Sequence, residues 1–294
     1  MSALDRRMDT RNSVLSYSVE DRPGIARLIV DQQHPFFFDH PLDHVPGLLL
    51  LEGAVQAAQN CAQEPCYVSA VHAEFIRYAF FDELILLDTC SEERHGRRQC
   101  WVTLTQNGKL CAKIEVVLTR QLGLFRRPTL EKVDLARALP PCPGAPLNKV
   151  RPENVLITTP KVDDGQIEAR LLPISGACLF ADTTQAVHPL YLLEAFMQVQ
   201  RYLNATQDGD KRMRDILTGV SIEMTAPMSD LSDGVFLRGA REFASVGRGR
   251  LSRSAWLYAA QRPVAKCSIQ TARLETRKRN TAQSVPQTPQ GENT

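Results

Sequence analysis

The stretch "HPFFFDHPLDHVPGLLLLEGAVQ", residues 34–56, contains the two patterns on which the fold prediction depends. Its first eleven residues hold three histidines and two aspartates, and a Pro-Gly pair then opens a run of four leucines. The apolar segment continues to residue 60 as "GLLLLEGAVQAAQN", with a single carboxylate at Glu52. A helix that is apolar on nearly every side must be buried. The sequence therefore predicts a buried helix directly after a histidine-rich loop.

A second copy of this helix follows later in the chain, as "PLYLLEAFMQVQRYLN" at 189–204. Each copy has a Leu-Leu-Glu core and a glutamine four residues past the glutamate, namely Glu52 with Gln56 and Glu194 with Gln198. Residues four apart share one face of a helix. The chain is thus predicted to be built from two repeats.

The strand regions repeat as well. The segment "CWVTLTQNGKLCAKIEVVLTR" (100–120) resembles "AWLYAAQRPVAKCSIQTARL" (255–274), and each has the pattern of a β-hairpin. Asn107-Gly108 in the first copy is a strong signal for a tight hairpin turn. In both halves a strand and a Pro/Gly loop precede the buried helix, and several strands follow it.

One long helix wrapped by an antiparallel sheet, present twice, predicts an α+β tandem (double) hotdog. We place the first unit at 14–122, a proline-rich linker at 123–149, the second unit at 150–275 and a disordered polar tail at 276–294. The two units should pair as a pseudo-dimer within one chain. Whether the tandem unit forms a further homodimer is left open by the sequence.

Composition narrows the functional class. The 294 residues carry a formal charge of only +2, without the excess expected of a nucleic-acid-binding protein. The eight cysteines include no C-x-x-C pair, and neither a signal peptide nor a membrane-length apolar run occurs. These features predict a cytoplasmic protein with free thiols and no membrane or nucleic-acid partner. The histidine spacing matches no standard zinc pattern, so no metal is expected.

The residue types around the Pro-Gly pair suit acid–base chemistry. A neutral imidazole can accept a proton near neutral pH, and a carboxyl group buried among leucines should have a raised pKa and could act as a general acid. The backbone N–H of Gly47, at a helix start, can polarise a carbonyl oxygen. The alternative is structural, with Glu52 bonding to Gln56 or to a loop N–H, and with buried histidines that only pack.

The string "HPFFFDHPLDHVPGLLLLE", with its degenerate second copy "HPLYLLEAFMQ", resembles the A-factor biosynthesis hotdog family of γ-butyrolactone synthases. That family is distantly similar to hydroxyacyl-carrier-protein dehydratases. The dehydratase pattern places His40 on the catalytic histidine and Glu52 on the helix carboxylate. Because the loop between them is two residues shorter here, His44 stays a competing choice for the base.

The resemblance also implies that the histidine of one unit faces the helix carboxylate of the other, which pairs His40 with Glu194. The reverse site has Asp182 where a histidine is needed, with His188 six residues further on. We therefore predict one working cleft, formed by His40, Gly47 and Glu194. The second cleft, at Glu52, should be altered or structural.

The residues that would contact the substrate are predicted less directly from the sequence. Family helices often carry an arginine three residues after the glutamate, where this chain has Val55 and Met197. That absence puts a phosphorylated acceptor in doubt. The candidates for substrate binding are Arg77, Arg151, Gln56, Gln198 and His188.

The resemblance implies an acyltransferase that moves a β-ketoacyl group to a small hydroxylated acceptor resembling dihydroxyacetone phosphate. The donor would be a thioester of acyl-carrier protein or coenzyme A, no cofactor is needed, and the product would be the precursor of a γ-butyrolactone or butenolide signal. Two alternatives stay open: a 3-hydroxyacyl-thioester dehydratase or hydratase, and a non-catalytic module that binds an acyl chain.

Overall fold

The computed structural model describes residues 9–18, 24–62, 64, 66–120, 139–174, 180, 187–206, 213–225, 227–228, 231, 234–247, 249–259 and 261–275. The predicted tail, the predicted linker as far as residue 138, and Asp182 lie outside these ranges. The division into units at 14–122 and 150–275 stays a proposal.

The described residues form two long helices and thirteen strands, which make a single sheet. The helices are α1 (Gly47–Asn60) and α2 (Pro189–Thr206). The strands are β1 (Leu15–Ser16), β2 (Ile25–Leu28), β3 (Cys66–Phe75), β4 (Ile85–Arg94), β5 (Arg97–Gln106), β6 (Lys109–Arg120), β7 (Lys161–Asp163), β8 (Gln166–Arg170), β9 (Met213–Met224), β10 (Phe236–Ala240), β11 (Ala244–Gly247), β12 (Arg250–Ala259) and β13 (Arg262–Glu275).

The sheet has the same strand order in both halves. It runs β2-β4-β5-β6-β3 in the first half and β8-β10-β12-β13-β9 in the second. The halves join through the antiparallel pair β3–β9, where His72 lies opposite Ser221. Short strands extend the pattern, with β1 beside β2, β7 beside β8 and β11 beside β12. The predicted tandem hotdog, with one long helix and one half of the continuous antiparallel sheet in each repeat, is confirmed.

The helix α1 is buried on almost all sides, as its apolar sequence predicts. Ala54 and Val55 are fully enclosed, and even Glu52 is 0% exposed. Close packing explains the glycine at position 53, because a Cβ there would lie 2.6 Å from Leu28 Cδ1 on β2. The helix packs on the strands of its own half and also contacts α2. This contact brings the two helices together at the centre of the molecule.

Each helix is fastened to the segment that enters its half by a buried glutamine. Gln56 Oε1 accepts a bond from the Val14 N–H (3.0 Å), and Gln56 Nε2 donates to the Asn12 carbonyl (2.8 Å). The amide therefore satisfies a backbone donor and a backbone acceptor that would otherwise be buried without partners.

The second half repeats these bonds. Gln198 Oε1 accepts from the Leu156 N–H (2.9 Å), and Gln198 Nε2 donates to the Asn154 carbonyl (2.8 Å). The repeated glutamine found in the sequence is thus a repeated structural bond between a helix and its entering segment.

The predicted hairpins are also present. Asn107 and Gly108 have φ angles of 51° and 68°, the positive values of a type I′ turn, and join β5 to β6. The strands β12 and β13 form the matching hairpin of the second half. Within the described part of the chain, neither helix has the length and apolarity needed to cross a bilayer.

Candidate active site

A cavity of about 190 Å³ lies where the start of α1 meets α2. Its apolar lining comes from both halves and includes Phe75, Leu51 and Leu193. The remaining lining is polar and consists of Asp39, His40, His44, Gly47, Lys149, Glu194 and Arg201. The structure thus brings the three residues of the predicted cleft, His40, Gly47 and Glu194, to one cavity.

The imidazole of His40 is half-buried in this lining. Burial lowers the pKa of His40 below its usual value, and the positive charges of Arg201 and Lys149 lower it further. Its Nδ1 atom is buried and has no hydrogen-bond partner among the described residues. At neutral pH the ring is therefore uncharged, which is the state a general base requires.

Glu194 is buried on α2 and differs from the prediction in its protonation. Burial alone would raise the pKa of its carboxyl group, but the charges of Arg201 and Lys149, which also donate to it, prevail and hold the pKa at about 2. The distances to Glu194 Oε1 are 2.7 Å from Arg201 Nη1 and 3.1 Å from Lys149 Nζ. The expectation of a protonated general acid is wrong for this residue.

Gly47 is the first residue of α1, and its backbone opens the helix toward the cavity. Pro46 precedes it and provides no side-chain cap, so the first N–H groups of the helix have no partner from a capping side chain. A Cβ at position 47 would lie 3.2 Å from Phe75 Cζ. Glycine is needed here because Phe75 forms the wall of the cavity directly against the helix start.

Two cations of the site, Lys149 and Arg201, were missed by the sequence analysis. Arg201 lies seven residues after Glu194, two helical turns along the same face, and a search at that spacing would have found it. Lys149 carries no local signal, because it comes from the segment that enters the second half. Its side chain is 5% exposed and its Nζ lies 5.3 Å from the centre of the Phe36 ring.

Asp39 explains why Lys149 lies in the cavity. The two carboxylate oxygens of Asp39 accept bonds from the N–H groups of Val150 (3.0 Å) and Arg151 (2.9 Å). The histidine-rich loop of the first half therefore holds the chain directly after Lys149. A residue from the predicted linker completes a site whose histidine belongs to the first half.

The competing histidine, His44, lines the same cavity, but its side chain contacts exposed residues. Its Nδ1 lies 2.6 Å from Asp43 Oδ1, and its ring lies 4.4 Å from that of Tyr78. Asp43 is 95% exposed, whereas the charged groups that act on His40 include the buried Lys149 and Glu194. These contacts favour His40 as the base, and the choice between the two stays a prediction.

The second cleft is closed around a different histidine. His188 Nε2 lies 3.5 Å from Glu52 Oε2, and both side chains are buried. His188 Nδ1 accepts a bond from the Leu190 N–H (3.1 Å), so this histidine caps the start of α2. The ring of Phe180 stacks on His188 at 5.0 Å. The helix start that is uncapped in α1 is capped in α2.

The remaining predicted substrate contacts lie elsewhere. Gln56 and Gln198 use their amides on the chain's own backbone, and His188 is enclosed beside Glu52. Arg77 is exposed and is not part of the cavity lining. The Arg151 side chain is 50% exposed, with its guanidinium 3.7 Å from Glu153, and only its backbone N–H is tied to the site, through Asp39.

The half of the chain that carries His40 and the start of α1 matches a known domain family. Residues 6–120 match the A-factor biosynthesis hotdog domain. The chain is 43% identical over 89 residues to a "2-oxo-3-(phosphooxy)propyl 3-oxoalkanoate synthase" of Streptomyces virginiae, a match that covers 29% of this chain and 30% of that protein. A synthase of the same name from Streptomyces coelicolor is 42% identical over 74 residues, 25% of this chain and 24% of the relative.

Solved structures match both halves. The tesB protein of Mycobacterium avium subspecies paratuberculosis has a TM-score of 0.58 at 13% identity and covers 90% of this chain and 98% of its own. The dehydratase domain of the CurJ module of curacin polyketide synthase has a TM-score of 0.52 at 12% identity, covering 89% and 96%. At these identities the likeness shows the shared fold. The A-factor-type match covers the first half, and the second half is related by fold.

Proposed function

We propose that this chain is an acyltransferase that moves a β-ketoacyl group from a thioester to the hydroxyl group of a small acceptor. The observation that carries the proposal is the cavity itself, in which a neutral imidazole, an uncapped helix start and an ionised carboxylate line one space. The names of the Streptomyces relatives describe an ester between a 3-oxoalkanoate and a phosphorylated three-carbon alcohol. Such an ester is the product expected here, and it would be a precursor of a γ-butyrolactone signal.

In the proposed reaction His40 removes the proton from the acceptor hydroxyl, and the oxygen forms a bond to the thioester carbonyl carbon. The N–H of Gly47 stabilises the resulting oxyanion, with help from the dipole of α1. The carbon–sulfur bond then breaks, and the sulfur receives the proton from His40. Acid–base assistance of this kind contributes about 10²- to 10⁴-fold, and one oxyanion donor about 10²- to 10³-fold.

Glu194 positions the reactants in this scheme and does not give a proton. Its three donors, from Lys149, Arg201 and Gln198, all reach Oε1. The Oε2 atom is left to accept a hydrogen bond from the acceptor. A carboxylate that stays ionised holds a hydroxyl group well but cannot protonate a leaving group.

The ionised state of Glu194 weighs against the alternative of a 3-hydroxyacyl-thioester dehydratase, in which the helix carboxyl group would protonate the departing hydroxyl group. With a pKa of about 2, Glu194 carries almost no proton at neutral pH. Incubation with a 3-hydroxyacyl thioester separates the two reactions. Growth of enoyl-thioester absorbance would favour dehydration over transfer.

The test of the proposal is ester formation from a β-ketoacyl thioester and dihydroxyacetone phosphate, followed by mass spectrometry. We expect His40→Ala to lower kcat/KM by about 10²- to 10⁴-fold. Glu194→Gln should lower it by a smaller factor. His95→Ala, at an exposed turn outside the cavity, is the matched control and should leave the rate unchanged.

Near-normal turnover in both cavity variants would reject this assignment of residues. Thioester binding without turnover on any acceptor would support the non-catalytic binding module instead. Both carrier-protein and coenzyme A thioesters belong in the assay, since the cavity does not choose between them.

We also propose a cytoplasmic location. The cysteines described by the structure, including Cys61, Cys100 and Cys267, are free thiols. Proteins of oxidising compartments generally pair such residues in disulfides.

A further inference from the structure

The cavity holds two buried or half-buried cations around a single carboxylate oxygen. Lys149 Nζ has three N–H donors and the Arg201 guanidinium has five, yet each directs one bond to Glu194 Oε1. The other acid in the lining, Asp39, already accepts two backbone N–H bonds. The cations thus retain donors that no acid of the described cavity lining takes up.

The two helix carboxylates have different neighbours. The equivalent carboxylate of the first half, Glu52, lies at the same position of its helix and bonds to Gln56 at 2.7 Å, with His188 at 3.5 Å. Of the two helix carboxylates, Glu194 is the one that lines the cavity, with Lys149 and Arg201 beside it.

Burying a lysine is costly unless it is paired and hydrogen-bonded. Lys149 is nevertheless 5% exposed, and Asp39 fixes the chain immediately after it. A preorganised, partly satisfied cation that lines a cavity is the arrangement expected of a receptor for an anion. The uncapped start of α1 adds partial positive charge to the same lining.

We propose that Lys149 and Arg201 are the receptor for a phosphate group, and that this group belongs to the acceptor. The inference rests on the proposed transfer reaction and supplies the cations that the sequence lacks at Val55 and Met197. The acceptor hydroxyl would meet His40 while its phosphate meets the two cations. Phosphate on the pantetheine arm of the donor has the same chemistry, so the experiment must separate the two sources.

The test compares dihydroxyacetone phosphate with dihydroxyacetone as acceptors for the whole chain. In Lys149→Met and Arg201→Met we expect KM for the phosphorylated acceptor to rise by about 10- to 100-fold more than KM for dihydroxyacetone, which corresponds to the loss of one charge-assisted hydrogen bond to the phosphate. Lys149→Arg should restore part of the preference. Lys161→Met, an exposed cation on β7, is the matched control and should behave as the wild type.

A second measurement does not depend on turnover. Inorganic phosphate should raise the Tm of the wild type and of Lys161→Met, and should fail to do so in Lys149→Met. If the wild type transfers to neither acceptor but phosphate still stabilises it through Lys149, the receptor stands and the transfer reaction fails.

Three results would overturn the inference. Equal loss on both acceptors would mean that the cations only support Glu194. An unchanged response to phosphate in Lys149→Met would remove the receptor. The variants could instead raise KM for a coenzyme A thioester while leaving KM unchanged for a thioester that lacks phosphate and for the acceptor. That result would assign the phosphate site to the donor.

Discussion

The two helix glutamates show that neighbours, more than burial, decide how a carboxyl group behaves. Glu194 and Glu52 occupy the same place in their repeats, and both are almost completely buried. Glu194 meets Arg201 and Lys149 and stays ionised, whereas Glu52 meets a glutamine and a histidine. A buried acid close to two cations loses its proton because Coulomb attraction exceeds the cost of desolvation.

The charges around His40 give a prediction about pH. The charged groups that act on His40 are Arg201, Lys149, Asp39 and Glu194; burial and the two cations lower its pKa, and the two carboxylates raise it. Since the base must be unprotonated, kcat/KM should fall as pH drops through that lowered pKa. Arg201→Gln should move this acid limb to higher pH, and Glu194→Gln should move it to lower pH.

The measurement is kcat/KM for the transfer reaction from pH 5 upward in the two variants and the wild type. Arg238→Gln, which removes an exposed arginine on β10, serves as the control for general electrostatic effects. Shifts of the same sign in both cavity variants would contradict the role of His40 as the titrating base.

Gly47 permits a second prediction at this scale. Gly47→Ala should lower kcat/KM by about 10- to 100-fold, because the new Cβ would lie 3.2 Å from Phe75 Cζ and displace the cavity wall from the helix start. Alanine is a better helix former than glycine, so Tm should not fall markedly. Adding Phe75→Leu should recover part of the rate; no recovery would argue that the helix start itself is disturbed.

At the scale of elements, each helix is joined to its half by the same side-chain bonds. The side-chain amide of Gln56, like that of Gln198, bonds to one backbone N–H and one backbone carbonyl of the entering segment. This shared role explains why both glutamines lie at the same distance from their helix glutamates. The sequence repeat suggested substrate contacts at these positions. The structure gives them a mechanical role, since loss of an amide would leave a buried N–H and a buried C=O unpaired.

This bond is tested by Gln56→Leu. The change should lower the free energy of unfolding by about 2–4 kcal/mol, because the Val14 N–H and the Asn12 carbonyl would each lose a buried partner. Urea denaturation measures the effect, with Gln166→Leu, which replaces an exposed glutamine on β8, as the control. A loss below 0.5 kcal/mol, on the order of a surface substitution, would mean that water replaces the amide.

At the scale of the whole molecule, one scaffold carries two unequal clefts. The strand order is the same in both halves, so the sheet imposes no difference. The difference comes from the helix starts, since α1 begins uncapped at a cavity and α2 begins with His188 as its cap. Among the residues that the structure describes, the start of α1 borders a cavity, while His188 and Phe180 stack beside the start of α2.

This asymmetry predicts opposite responses to two histidine substitutions. His188→Ala should destabilise the fold by about 1–3 kcal/mol, since it removes a helix cap and the contact with Glu52, while leaving kcat largely intact. His40→Ala should abolish most turnover with little change in stability. Thermal unfolding and single-turnover kinetics on the same samples would decide; loss of turnover in His188→Ala without loss of stability would mean that both clefts work.

The sequence by itself determined the two buried helices, the hairpins and the repeat, because periodicity and turn residues act over short distances along the chain. It also pointed to His40, Gly47 and Glu194, through a resemblance in local motifs. The pairing of His40 with Glu194 across the two halves came from that resemblance and not from the residue pattern.

Only the tertiary structure decided the electrostatics of the cleft. Lys149 reaches Glu194 from the end of the predicted linker, where Asp39 holds the adjacent backbone in place. Arg201 reaches Glu194 from two turns further along α2. A pKa depends on every charge within a few ångströms, whatever its position in the sequence. For that reason the raised pKa expected of a carboxyl group with apolar neighbours along its helix does not hold for Glu194, and the two cations that lower this pKa are evident only in the tertiary structure.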